Sequence, residues 1–453
     1  MTPKQPSQEA TSARQLAAAL GGEPHWLVRV PGRVDLLGSH TDYNHLPVLA
    51  CCLAAQSILA AARPTHTREV IAHNLQTIYP TARFELPHPH PLQPGPAGHW
   101  ENYLKAGVQG ALDQYRLSPS ATGWEAVFQS SIPAGAGLSS SSALVIAAAM
   151  LTEAVNGLPC DPATLAAYLP SAERFVGTQG GALDHTTILH AQAEHLLHIA
   201  FAPPGLQHIP FPAEATLAIC HCGQTAEKTG SARSHYNQRV ADCNIATLFL
   251  RLNLEPDCSP WDLLRDPGKV GDLIQRLHIA PAKAAERARE CVPSSLASPE
   301  AIAQAIRMPL SATLSAPLLR PNGHPIEFAT LHPRDRIVHV LQEAERVHQA
   351  ADAFRALDLQ RAGSLMTESY QSARTLYDIS TPALDQLITA GLQAGALGGR
   401  IAGAGFGGCA LFLLPTGAFP TWKEAVLANA PNAGPCWEAT PGPPAQITPN
   451  PTQ

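Results

Sequence analysis

The sequence has no apolar run long enough to cross a bilayer; the longest, around Ala143 to Leu151, falls well short of a spanning helix. It has no block of Lys or Arg, and 30 basic against 36 acidic residues leave a formal net charge of −6. Neither tracking of a nucleic-acid backbone nor docking on an anionic membrane is therefore expected. Disulfide-framework spacing is also missing. Ten cysteines lie scattered over 453 residues, a pattern that fits free thiols in a reducing cytoplasm. Cys220-His-Cys222 sits in an apolar strand-like run with no second ligand pair at zinc spacing, so no structural metal is expected there. His190, His195 and His198 read as ordinary surface or satisfied histidines. Met1 to Ser7 lacks the apolar core of a signal peptide, and the expected location is the cytoplasm. No long-period repeat is present.

What is present is length for two or three domains with a large core, and one stretch that organises the rest. Pro133-Ala-Gly-Ala-Gly-Leu-Ser-Ser-Ser-Ser-Ala143 runs directly into Leu144 to Met150, apolar on every face. Gly135 and Gly137 let backbone N–H groups point inward with no Cβ in the way. The serines stand where a helix N-cap belongs, and such a helix start offers free donors and a positive dipole end to a phosphate. No lysine follows, so this is not the G-x-x-x-x-G-K-[ST] loop. Taken alone, it is equally a tight turn with an ordinary cap.

Around it, Trp26 to Val30 reads as a strand cut off by Pro31-Gly32, which leaves Arg33 at a strand-to-loop transition. Val48 to Cys52 is a second strand, and Gly123 to Ser130 a third that feeds the Gly/Ser loop. Pro87 to Pro96 is a surface loop. Gly98 to Val108 opens a helix with Trp100 and Tyr103 on one face, core aromatics by default. Pro162 to Thr178 is helical and carries Glu173; Gly180-Gly-Ala-Leu-Asp184 is a flexible turn ending in one carboxylate. Ala202-Pro-Pro-Gly205 reads as a domain boundary. Short helices with Pro breaks fill 252–330, and helices follow at Arg336 to Phe354, Leu357 to Ser372 and Thr381 to Ala394. Gly395 to Leu414 packs glycines between strand-like runs. Thr440 to Gln453 is Pro-rich and reads as a disordered tail.

Three stretches, in order, carry a resemblance: Pro31 to Asn44 (with Arg33 and Ser39-His-Thr-Asp-Tyr-Asn44), Pro133 to Ala143, and Gly403-Ala-Gly-Phe-Gly-Gly-Cys409. Together they resemble the signature segments of the GHMP small-molecule kinases, and the first is similar to that of galactokinases, over about Leu27 to Leu414. Pattern alone gives only mixed α and β. The resemblance implies an α+β architecture: a ribosomal-protein-S5-like N-terminal domain (1–205), a C-terminal α/β domain (206–439), and the active site in the cleft between them. It implies transfer of the γ-phosphate of ATP to the anomeric hydroxyl of a sugar, galactose first, with ATP and Mg²⁺ as cofactors. Partners would be small molecules only, and the chain a monomer or weak homodimer.

By the same resemblance, Arg33 and Asp184 flank the reacting hydroxyl. Ser39, His40, Asp42, Gly181 and Tyr236 face the sugar. Gly135, Gly137, Leu138, Ser139, Ser140, Ser141 and Ser142 cradle ATP, with Trp100, and more weakly Tyr103, on the adenine side. Ser141 and Glu173 hold the metal. Three positions depart from the usual spelling: Ser39 stands for a Glu, Asp35 for an Asn, and His185 for a Gln. Losing a charge-assisted bond to a substrate hydroxyl costs about 1.5–3 kcal/mol, so a related sugar such as N-acetylgalactosamine stays open as the substrate. A kinase for a non-sugar alcohol would share the fold, but the His40 to Asn44 run speaks against it. A non-catalytic sugar and ATP sensor would share both ligands. The unbroken Ser139 to Ala143 run, with Arg33, Glu173 and Asp184 all in place, speaks against the sensor.

Overall fold

A computed structural model describes residues 8–86, 91–117, 121–225, 231–319 and 330–450. Part of the Pro87–Pro96 loop, residues 226–230 and 320–329, and the last three of the tail lie outside these.

The strands in chain order are β1 (Trp26–Leu37), β2 (Val48–Pro64), β3 (Glu69–Asn74), β4 (Ala82–Glu85), β5 (Trp124–Ser130), β6 (His195–Phe201) and β7 (Pro204–Pro210), then β8 (Ala215–His221), β9 (Gly398–Ile401), β10 (Cys409–Pro415), β11 (Cys436–Ala439) and β12 (Gln446–Pro449). The first sheet runs β12-β1-β2-β5-β3-β4, with β6 on β2 and β7 on β6. Its centre, β2, reads Val-Leu-Ala-Cys-Cys-Leu-Ala-Ala rather than alternating, because both of its faces are covered. One cover is α3 (Ser140–Val155), whose buried residues lie on all sides, as its composition dictates. Outside it lies α2 (Glu101–Tyr115), and α1 (Gln8–Leu20) seals Ala61 and Val127 with Leu16 and Leu20. The second sheet runs β11-β8-β10-β9, packed by helices that include Pro333–Arg355 and Pro382–Gln393. Val347 and Phe354 of the former join the core that also contains β1 and β2 residues, so the two sheets share apolar packing.

Several expectations change. The 440–453 tail is not disordered over its described part: Gln446 to Pro449 pair with Arg29 to Trp26, adding a strand at the edge of the first sheet. Its prolines fit there because an edge strand has a side that needs no donors. The Ala202–Gly205 break is a hairpin turn, since β7 pairs along β6 within the first sheet, so the chain leaves that sheet only after Pro210. Over the described part of 252–330 short helices do alternate with breaks, and three of its prolines, Pro260, Pro281 and Pro299, stand at a first helical turn. The ten cysteines are not all free. Cys220 and Cys436 lie opposite each other on β8 and β11 and are joined by a disulfide, while eight others are free thiols. Among the described residues no helix is long and apolar enough to cross a membrane.

Candidate active site

Two cavities meet at the Gly/Ser loop, and Gly137 borders both. The positive φ of +80° at Gly137 and +70° at Gly403 let the second and third glycine-rich segments touch backbone to backbone. A Cβ on Gly137 would stand 2.7 Å from the Ala402 carbonyl. The smaller cavity, about 100 Å³, is bordered by Arg33, Asp35, Ser39, His40, Asp42, Gly181, Asp184 and Tyr236 among others. The larger, about 590 Å³, is bordered by Gly135, Ser139, Ser140, Ser141, Trp100, Tyr103, Tyr79 and Phe128 among others.

Arg33 reaches its position through strand geometry. The β1–β2 register shifts between Pro31 and Arg33 and again between Asp35 and Leu37. Such bulges re-aim side chains, and two residues of the same strand parity, 33 and 35, both turn to the cavity. Arg33 Nε donates to Asp184 Oδ1 at 2.7 Å, and Nη2 stands 2.5 Å from the same oxygen. Nη1 donates to the Gly137 carbonyl at 2.8 Å. Burial works against the guanidinium's charge, but Asp184 and Asp35 outweigh it and hold its pKa above the ordinary value. Asp184 lies in the first turn of α5 (Leu183–His190). Its Oδ2 accepts from Ser139 Oγ at 2.8 Å and from Ser142 Oγ at 3.1 Å.

That corrects the reading of the serines as helix caps. Ser139 is the N-cap residue, in the left-handed region at φ 60°, but its side chain makes no capping bond. Ser139 and Ser142 instead turn their hydroxyls to the carboxylates of Asp184 and Glu173. Ser142 donates to Glu173 Oε2 at 2.8 Å and, like Leu138, does not border the larger cavity. Leu138 is buried and uses its carbonyl to accept from Arg33 N. Ser140, Ser141, Gly135 and Trp100 do border it. Trp100 also donates from Nε1 to the Pro80 carbonyl and packs on Tyr79 and Phe128, so it is at once a core aromatic and a cavity wall.

Glu173 ends α4 (Pro162–Glu173). Burial pushes its pKa up, but His185, with Nε2 at 3.1 Å, and Ser142 prevail and hold it below the usual range. The carboxylate is therefore ionised at neutral pH. Among the described residues no cluster of three His, Cys, Asp or Glu side chains could hold a metal by itself. Glu173 and the Ser141 hydroxyl are hard oxygen donors bordering adjoining cavities, a set that fits Mg²⁺ bound mainly through phosphate oxygens and water.

On the other side of the small cavity, His40 adopts φ 63° and is fixed by Tyr43 Oη at 3.0 Å and the Ala404 carbonyl at 3.1 Å. Burial lowers its pKa to about 4, so its ring is neutral at neutral pH. Asp42 accepts from Leu183 N at 3.1 Å. A Cβ on Gly181 would land on the Asp42 carboxylate, which makes glycine obligatory there. Tyr236 is half-buried, its ring tilted against that of His40 with centroids 5.2 Å apart. Ser39 lies on this wall too, but its hydroxyl is engaged: it donates to Asp35 Oδ2 at 2.5 Å and accepts from Arg400 Nη2.

Sequence reasoning missed the residues behind this wall. Arg400 is 1% exposed and pairs with Asp35. Glu343, fully buried, accepts from Gly38 N at 3.0 Å and Ser369 Oγ at 2.6 Å and anchors the loop that carries Ser39 and His40. The available signal was a charge inside an apolar stretch, Val34-Asp-Leu-Leu37 and Gly399-Arg-Ile-Ala402. A buried charge requires a partner.

The chain is similar to known kinases in sequence and in fold. The GHMP kinases N terminal domain model matches residues 102–192, the galactokinase galactose-binding signature 16–64, and the GHMP kinases C terminal model 350–427. The galactokinase of Chloroflexus aggregans is 30% identical over 411 residues, covering 90% of this chain and 89% of that one. The galactokinase of Bos taurus is 29% identical over 419 residues, covering 91% and 89%. Among solved structures, the Lactococcus lactis galactokinase complexed with galactose superposes with a TM-score of 0.75 at 20% identity, over 97% of this chain and 99% of that one. The Methanococcus jannaschii mevalonate kinase gives a TM-score of 0.55 at 14% identity, over 92% and 98%.

Proposed function

Since the chain belongs to the galactokinase family of the GHMP kinases, we propose that it transfers the γ-phosphoryl group of ATP to the anomeric hydroxyl of galactose, giving galactose 1-phosphate and ADP. The observation that carries the reading is the Arg33–Asp184 pair. It stands beside Gly137, where the cavity fit for a sugar meets the cavity fit for a nucleotide. Phosphoryl transfer asks chiefly for alignment and charge neutralisation, and that is what this wall offers.

Asp184 receives the proton of the attacking hydroxyl. A carboxylate that already accepts from Arg33, Ser139 and Ser142 is a weak base. Proton transfer therefore accompanies formation of the P–O bond and does not precede it. Arg33 keeps Asp184 ionised and placed, and its charge offsets that developing on the phosphoryl oxygens. Ser140, Ser141 and the loop's backbone donors take the phosphates at the start of α3, while Trp100, Tyr79 and Tyr103 wall the space for the base. Glu173 and Ser141 would hold Mg²⁺, which when bound shields the phosphate oxygens' charge. His40, Asp42, Tyr236 and the Gly181 backbone orient the sugar. We place the protein in the cytoplasm, with ATP and sugar as its partners. The first domain would run to Pro210 and regain 446–449.

Ser39 favours one second reading, a related sugar such as N-acetylgalactosamine, because its hydroxyl is neutral and already engaged. ADP release measured with galactose, N-acetylgalactosamine, arabinose and glucose tests both. Galactose-dependent release is expected to be fastest; release that no sugar stimulates overturns the kinase reading.

A further inference from the structure

One buried charge cluster forms part of the small cavity's wall without a role in the chemistry above. Asp35 is fully buried and stands at the border of the cavity. Oδ1 accepts from Gly403 N at 2.9 Å, and Oδ2 accepts from Ser39 Oγ at 2.5 Å and faces Arg400 Nη1 at 3.2 Å. Arg33 Nη1 is 3.9 Å from Oδ1, so the carboxylate lies between two guanidinium groups. Arg400 does not border the cavity. It donates to the Asp35 carbonyl at 3.0 Å and to the Ser39 hydroxyl, holding both residues from behind.

A carboxylate offers about four acceptor sites, and three close partners occupy three of them here. Ser39 also keeps one lone pair, since its one proton goes to Asp35 and one of its two lone pairs to Arg400, but that acceptor is neutral, whereas the Asp35 acceptor is charged and makes the stronger bond. We propose that Asp35, not Ser39, is the specificity-determining acceptor of this wall, presenting its remaining lone pair to one sugar hydroxyl. Arg400 is the countercharge that allows a single carboxylate, and only one, at positions 35 and 39 together. The inference rests on reading this cavity as the sugar site. It accounts jointly for two departures from the galactokinase spelling, a carboxylate gained at 35 and one lost at 39.

The test is titration calorimetry, which needs no turnover, with galactose and its 2-, 3-, 4- and 6-deoxy analogues on the full chain. Asp35→Asn should weaken galactose at least tenfold but weaken one deoxy analogue, the one lacking the contacted hydroxyl, less than threefold. Equal weakening of all five sugars, or of none, overturns the assignment. The charge limit is read by thermal melting. Ser39→Glu places a second carboxylate against one Arg400 and should lower the melting temperature, and the added Asp35→Asn should restore it. A double variant that melts below both single variants overturns the limit. If wild type binds galactose but releases no ADP with any sugar, the kinase reading fails while the binding result still decides the role of Asp35.

Discussion

The two cavities differ most in charge. Around the smaller stand Arg33, Asp35, Asp42, Glu173, Asp184 and Arg233. Around the larger, among the described residues, stands no charged side chain at all, although the ligand proposed for it is the more highly charged. Phosphates can be met by backbone N–H groups, hydroxyls, a helix start and a metal ion. An adenine ring asks only for flat apolar walls. A sugar hydroxyl about to become a nucleophile has no such generic partner. It needs acceptors and donors fixed in direction, and in a low-dielectric pocket each must itself be paired. The sugar side is therefore a network, and the nucleotide side a surface.

The comparison predicts where substitutions act. Asp184→Asn should give the largest effect. It removes the acceptor of the hydroxyl proton and the charge opposite Arg33, and should lower kcat by about 10²–10⁴. Both ligands should still bind by calorimetry. Turnover within tenfold of wild type in a coupled ADP assay would remove Asp184 from the chemistry.

Gly181→Ala should come next. The added methyl falls on the Asp42 carboxylate and displaces a wall of the sugar pocket. A misplacement on the order of 1 Å costs about 10²-fold, here in kcat/KM for sugar, while the KM for ATP stays unchanged. A rise of both KM values together would mean that the cavities are not independent.

Trp100→Phe is the nucleotide-side counterpart and should be milder. It keeps an aromatic wall and loses the bond to the Pro80 carbonyl, worth about 0.5–1.5 kcal/mol of stability. A few-fold higher KM for ATP with an unaltered KM for sugar is expected from initial-rate kinetics.

The same contrast explains what the sequence let through. The phosphate end of the nucleotide side is local: Gly135 to Leu151 forms its loop and helix in one stretch, so glycines, serines and an apolar run announce it, while the aromatic walls Tyr79 and Trp100 come from elsewhere in the chain. The sugar side is assembled across the chain. Arg33 meets Asp184 over 151 positions, and Arg400 donates to the Asp35 carbonyl over 365. Resemblance supplied Arg33 and Asp184, but nothing in spacing shows that Ser39 is tied to Asp35 or that Glu343 holds Gly38. The place of the serines on the loop was legible, while their side-chain directions were not. Propensity says that a serine caps a helix; here the carboxylates of Asp184 and Glu173 draw the hydroxyls as donors and so fix their direction. The tail departs from expectation for a related reason. Proline-rich composition argues against a central strand, but β1 offered an edge, and edge pairing is a tertiary fact.

The smallest expected effect concerns pH and again separates the two sides. Burial pushes the Asp42 carboxyl up to about 6, and the negative charge of Asp184 adds to this; the Leu183 N–H and the Arg33 guanidinium oppose it without prevailing. His40, facing the same cavity, is held near 4 by burial and does not change charge between pH 5 and 8. For stability, the folded chain binds a proton at Asp42 that the unfolded chain has released between about pH 4 and 6. This group's contribution therefore falls as pH rises through that window. For function the sign reverses, since only the ionised carboxylate accepts from both Leu183 N and a sugar hydroxyl. Lowering pH from 7 to 5.5 should raise the KM for sugar about fourfold through this one group. The KM for ATP should stay flat, because among the described residues no carboxylate borders that cavity. Asp42→Asn should abolish the pH dependence of the sugar KM at a higher, constant value. A sugar KM that keeps its slope in Asp42→Asn would move the titrating group elsewhere in the network.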